Sequence, residues 1–184
     1  NISVAANLAQ DSAGNNNTAS NSLSYTFDTA EPSLILSSST PNPTNTNIAV
    51  TATFSESVTG FSLGDISVTN GTAGSFSGSG TTYTFSVTPT GLGSVTISVA
   101  SATAQDSAGN KNTASNSLQY DYNSDRPTLL LSSSSPTPTN STIAVTATFS
   151  SSVTGFVAGD ISVTNGTVGG FTGSGAGYSF TVAP

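Results

Sequence analysis

The sequence predicts an all-β protein made of tandem two-sheet sandwiches, and three observations carry that prediction. The first is an internal repeat. Shifted by 95 residues, the chain aligns with itself without a gap, and residues 1–89 match residues 96–184 at 60 of 89 positions. Asp11-Ser12-Ala13-Gly14-Asn15 returns as Asp106-Ser107-Ala108-Gly109-Asn110, and the run IAVTATFS from Ile48 to Ser55 returns unchanged from Ile143 to Ser150. Shared composition alone does not hold a register over that length; duplication of one unit does. The second observation is composition. Ser and Thr supply 65 of the 184 residues, and with Val, Ile, Phe and Tyr they suit strands and turns, while strong helix formers are scarce. The third is period. Apolar residues alternate with polar ones in short runs between turn clusters, as in half-buried strands.

The unit boundaries follow from two polar, proline-containing segments 95 residues apart, Phe27-Asp28-Thr29-Ala30-Glu31-Pro32 and Tyr122-Asn123-Ser124-Asp125-Arg126-Pro127. They hold the densest cluster of differences between the copies, as linkers do. Residues 1–29 are then the C-terminal part, strands F and G, of a preceding repeat. Residues 30–123 form a complete repeat, and residues 124–184 are the N-terminal part, strands A to E, of a following one. In the complete repeat the predicted strands are A (34–38), B (48–54), C (65–69), D (74–79), E (82–87), F (95–99) and G (115–122). Strand E places Tyr83, Phe85 and Val87 on one face. Turn clusters separate the strands at residues 41–45, 70–71, 78–80, 91–93 and 108–110. Seven short strands in about 95 residues predict an immunoglobulin-like β-sandwich. The two terminal pieces are complementary: joined head to tail, they lack only the six residues equivalent to 90–95. That predicts either a window on a continuous fibre or a subunit whose split domain is completed by neighbours.

Composition also excludes function classes. The net charge is −7, with nine acidic residues against Lys111 and Arg126, so there is no basic patch for nucleic acid. The absence of Cys and His removes disulfides, a thiol nucleophile, an imidazole base and the usual ligands of zinc, copper and haem iron. Ser and Thr hydroxyls have no His to activate them. Lys111 is replaced by Asn16 in the other copy, which weighs against a repeat-wide Ser–Lys pair or Lys–Asn crosslink. The glycine-rich stretch 71–80 lacks the GK[ST] ending of a phosphate loop. The expectation is a non-enzyme. No apolar run is long enough to cross a membrane, so no membrane insertion is expected of these residues.

Specific motifs add a resemblance. DxAGN, an NTAS-like stretch, a final strand and an Asp-Thr-x-x-Pro linker resemble the bacterial Ig-like repeats of giant extracellular surface adhesins. So do Pro41-Asn42-Pro43-Thr44-Asn45, the run from Phe54 to Phe61 and the run from Gly78 to Tyr83. The resemblance covers the whole chain. It implies a cell-surface or secreted filament in which many such domains form a stalk. The partners it implies are neighbouring repeats, with host or environmental glycans met through regions outside these residues. The alternatives are a glycan- or surface-binding module and a motility or matrix filament built from the same repeats.

The acidic residues give the one candidate site. In an immunoglobulin-type sandwich the B–C and F–G loops share a pole with the entry of strand A. That brings Asp28 and Glu31 of the linker, Glu56 after strand B and Asp106 of the F–G loop to one end. Converging carboxylates suit a hard, oxygen-loving cation, and Ca²⁺ tolerates an irregular set better than Mg²⁺. The competing reading has Asp106 capping its own turn and the linker acids solvated. At the next junction Asn123, Arg126 and Ser151 replace Asp28, Glu31 and Glu56, so a weaker site or none is expected there. Asp65 and Asp160, each following Gly at a strand start, are expected to act in turns.

Overall fold

A computed structural model describes residues 1–184. The chain is all-β apart from two single-turn 3-10 helices. It falls into two compact units, Asn1–Ser124 and Asp125–Pro184.

In the first unit β1 (Leu34–Ser37), β2 (Ile48–Val58) and β4 (Gly71–Pro89) form one sheet in the order β1-β2-β4. The other sheet is β3 (Ile66–Thr69), β5 (Gly93–Val99) and β6 (Leu118–Tyr122), in the order β3-β5-β6. All these pairings are antiparallel. The predicted D and E strands are one continuous element. β4 doubles back on itself, with Gly74 beside Ser86 and Gly78 beside Thr82 and Tyr83. Gly78 has φ +124°, and a Cβ there would collide with the Thr82 carbonyl, so this turn requires glycine. The two sheets therefore carry strands A-B-E-D and C-F-G, the arrangement of a constant-type immunoglobulin sandwich.

Period-two alternation fills the core. Leu34, Leu36, Ile48, Val50, Ala52 and Phe54 face Tyr83, Phe85 and Val87 of their own sheet and Val95, Ile97, Val99 and Tyr120 of the other. Phe54, Phe61, Phe76 and Tyr83 form an aromatic cluster with ring centroids 5.1–5.9 Å apart. Side-chain amides lock β1 and the A–B turn onto the opposite sheet. Asn116 accepts from Leu36 N (2.7 Å) and donates to Leu36 O (3.0 Å). Asn42 donates to Gln119 O (3.1 Å) and accepts from Asp121 N (2.9 Å). Each amide stands in for a backbone unit of a ladder.

The second unit has β7 (Leu129–Ser132), β8 (Ile143–Val153) and β9 (Thr167–Ala183), ordered β7-β8-β9 with the same register as β1-β2-β4. Its aromatic cluster of Phe149, Phe156, Phe171 and Tyr178 repeats the first within 0.1 Å in every centroid distance. Its sheet face is otherwise open. Leu129 is 45% and Leu131 55% exposed, where Leu34 and Leu36 are 3% and 2% exposed. Residues 161–164 repeat the sequence of β3, Ile-Ser-Val-Thr, but form no strand, because this unit contains no counterpart of β5 to pair with them.

Residues 1–29 hold the shape of an F–G hairpin without a sheet beneath it. Ile2 bridges Leu23, as Ile97 pairs with Leu118. Asn17 accepts from Leu8 N and Ala9 N (both 2.8 Å) and donates to Ala5 O and Thr18 O. Its counterpart Asn112, fully buried, accepts from Ala104 N (2.7 Å) and donates to Ala100 O and Thr113 O.

Candidate functional site

The pole where strand A enters is built by three local devices. The linker brings in Asp28, whose Oδ1 accepts from Ala30 N (2.9 Å) and whose carbonyl accepts from Asn110 Nδ2 (3.2 Å). Glu56 lies inside β2, which runs on to Val58 past the predicted end of strand B. It sits where the register to β4 shifts between Thr53 and Val58, and such an irregularity re-aims side chains away from a regular ladder. Asp106 comes from the F–G loop, held down by two backbone hydrogen bonds between Thr59 and Gln105 (2.7 and 3.0 Å).

One carboxylate oxygen from each of Asp28, Glu56 and Asp106 lies within 4.8 Å of the other two. Asp28 is exposed, Glu56 half-buried and Asp106 buried. Glu31 is exposed and not in this group. It begins the alternation in which Pro32, Leu34 and Leu36 turn inward, which puts it on the outward side. Burial first, then the negative charges of Asp106 and Asp28, push the Glu56 carboxyl above the usual glutamate value. For Asp106 burial pulls upward, but hydrogen bonds from Asn110, Gly109 and Ala108 outweigh it and hold the carboxyl below its usual value.

Those hydrogen bonds show Asp106 serving its own turn. Oδ1 accepts from Ala108 N (2.8 Å) and Asn110 N (2.9 Å), and Oδ2 from Asn110 Nδ2 (2.8 Å). Asp11 in the other copy makes the same three bonds at 2.9, 2.9 and 2.8 Å. Asp-x-Ala-Gly-Asn is thus a self-capped turn in both copies, with Gly14 and Gly109 at positive φ. Asp65 also has the expected turn role: its Oδ2 accepts from Ser62 N and Oγ (2.7 and 2.8 Å), and Asp160 accepts from Val157 N (2.9 Å).

Sequence reasoning missed the amides Asn42, Asn112 and Asn116. The signal for two of them was available, since Asn17 and Asn21 repeat Asn112 and Asn116 while the residues around the linker diverge. The Asn70 amide donates to Gly91 O (2.8 Å), and Asn70 has φ +56°, so its role is in the turn.

The sequence model of a bacterial Ig-like domain family matches residues 28–122 and again residues 123–184. The chain belongs to this family of bacterial Ig-like domains. The two adjacent matches agree with tandem bacterial Ig-like repeats, a domain type that is non-catalytic and suggests a module of a surface protein. No match is found among curated proteins or among solved structures. No helix of these repeats is long and apolar enough to cross a membrane.

Proposed function

We propose that these bacterial Ig-like repeats are structural modules of a large cell-surface adhesin, standing outside the cell as a stalk or filament that projects an adhesive region. On this reading the repeats are not enzymes, and their immediate partners are neighbouring repeats. The supporting observation is how the complete repeat is entered and left. The linker enters beside Asn110, at the pole of the B–C and F–G loops. The chain leaves β6 at the other end, where Thr44 of the A–B turn bonds Asp121 O and Asn123 N (both 2.9 Å). Entry and exit at opposite poles let each repeat add its own length, roughly 35–45 Å for strands of about 6–8 residues plus loops. Small-angle scattering of two- and four-repeat chains tests this. The maximum dimension should grow nearly linearly with repeat number, and a compact four-repeat particle rejects the stalk. Glycan binding by a single isolated repeat would favour the binding-module alternative instead.

We extend the reading to Ca²⁺ held by Asp28, Glu56 and Asp106 as a stiffener of that pole. The convergence of three carboxylates supports it; the turn bonds on both Asp106 oxygens compete with it. A calcium-bound folded state melts higher by mass action. Equal melting temperatures in chelator and in millimolar calcium reject the metal.

A further inference from the structure

We propose that proline in the linkers, together with hydrogen bonding in the fold, closes these repeats to serine endopeptidases that cleave after Lys, Arg or Glu. The chain holds four such residues, Glu31, Glu56, Lys111 and Arg126. Two lie in the fold and two in linkers, and the two in linkers are the ones followed by proline, in Glu31-Pro32 and Arg126-Pro127. Residues 28–31 and 123–126 are exposed and belong to no strand. Exposed segments of this kind are where endopeptidases cut folded proteins. Between the copies the cleavage residue changes from acid to base while the proline after it stays. The class of protease addressed therefore changes, and the block does not.

The block is chemical in the linkers. Cleavage breaks the C–N bond after the recognised residue: the protease serine attacks the carbonyl carbon, its histidine passes the proton to the leaving nitrogen, and water then releases the acyl group. Before proline that nitrogen is tertiary, and a ring carbon stands where the hydrogen would be, crowding the catalytic pair. In the fold the block is hydrogen bonding. At Lys111-Asn112 the scissile nitrogen, Asn112 N, donates to Ala104 O (3.1 Å), and Asn112 O accepts from Ala102 N (2.9 Å). Asn112 is buried, and Lys111 Nζ donates to Gln105 Oε1 (2.7 Å). Glu56 and Ser57 lie inside β2, just before the buried Val58. A protease reaches either bond only after local unfolding. Pro32 also has a packing role, since it is buried and its carbonyl accepts from Thr113 N (2.9 Å). The decisive variants therefore shift the cleavage residue off the proline as well as removing the ring.

The inference holds whether or not the repeats form a stalk, because its test reads bond cleavage rather than particle length. The full chain, folded in native buffer, is treated with trypsin or with a glutamyl endopeptidase, and fragments are weighed by mass spectrometry. The wild type should stay full length in both. Pro127→Ala should be cut by trypsin after Arg126 alone. Ser124→Lys keeps the proline and changes an exposed side chain, and should be cut after position 124 alone. Ala30→Glu, also at an exposed position, should be cut by the glutamyl enzyme after position 30 alone. Cutting of Pro127→Ala after Lys111 as well would mean that this variant has lost its fold, and Ser124→Lys then decides. Wild type cut after Lys111 or Glu56 overturns the proposal, because the fold then gives no protection. So do Ser124→Lys and Ala30→Glu chains as resistant as wild type, because the linkers are then closed without their prolines.

Discussion

β3 and residues 161–164 have the same four residues, Ile-Ser-Val-Thr, preceded in both copies by Gly-Asp, yet only β3 is a strand. The segments differ in what lies beside them. β3 pairs along its whole length with Thr96–Val99 of β5, and residues 161–164 have no such partner in their unit. By contrast, β2 and β8 have the same sequence at ten of eleven positions and an unchanged register, and both are strands of eleven residues. The A-B-D-E sheet therefore forms from its own residues, aromatic cluster included. The C-F-G sheet depends on the F–G hairpin. Local β-propensity is equal in the two copies, and pairing decides.

The sharpest way to break this comparison is to cut the same side chain in each copy. Leu36→Ala should destabilise the first unit by about 2–5 kcal/mol, through lost burial and the cavity left behind. Leu131→Ala, at a half-exposed position, should cost less than about 1 kcal/mol. Chemical denaturation of each variant checks the pair, and equal costs would mean that both faces are covered in the monomer.

The next effect is polar. Asn112→Ala removes the acceptor of Ala104 N and the donor to Ala100 O and Thr113 O inside a closed core, and should cost about 1–3 kcal/mol. Asn17→Ala removes the same set from a hairpin without a sheet beneath it. Water replaces the lost partners there, and global stability should hardly change.

Much of this was legible in the sequence because period two and a fixed repeat register are local signals. Tyr83, Phe85 and Val87 share a buried face, as expected, and positive φ at Asn70, Gly78 and Gly80 falls in two of the expected turn clusters, although residues 71 and 78–80 are part of β4. Strand topology brought Asp28, Glu56 and Asp106 together on paper because the poles of a sandwich follow from strand order. Glu31 falls outside the group by one residue of alternation, and Glu56, expected after strand B, belongs to the group from within a strand that continues past its bulge. The amide clasp of Asn42 was not legible, and repetition marks Asn116 without naming its partner, since each bonds a residue about 80 positions away whose approach is set by packing between sheets.

The smallest effect concerns pH. Burial and like charge raise the Glu56 pKa, so just above the ordinary glutamate value the folded state holds a proton that the unfolded chain has released. Stability from this group is full in acid and declines as pH rises through the raised pKa. Asp106 has the opposite sign: its lowered pKa gives stability above the ordinary aspartate value, lost as pH falls through the folded pKa. Glu56→Gln should therefore raise the melting temperature slightly at neutral pH, without calcium, and lose that advantage in acid. Ser151→Gln, at the equivalent site with no carboxylate to replace, should show no such pH dependence.

The central claim, that an F–G hairpin turns an open sheet into a closed sandwich, is tested most directly by residue-resolved hydrogen exchange on the dilute 184-residue chain. The account predicts strong protection of the ladder amides in Ile66–Thr69 and near-unprotected exchange in residues 161–164. Equal protection of the two segments would contradict it.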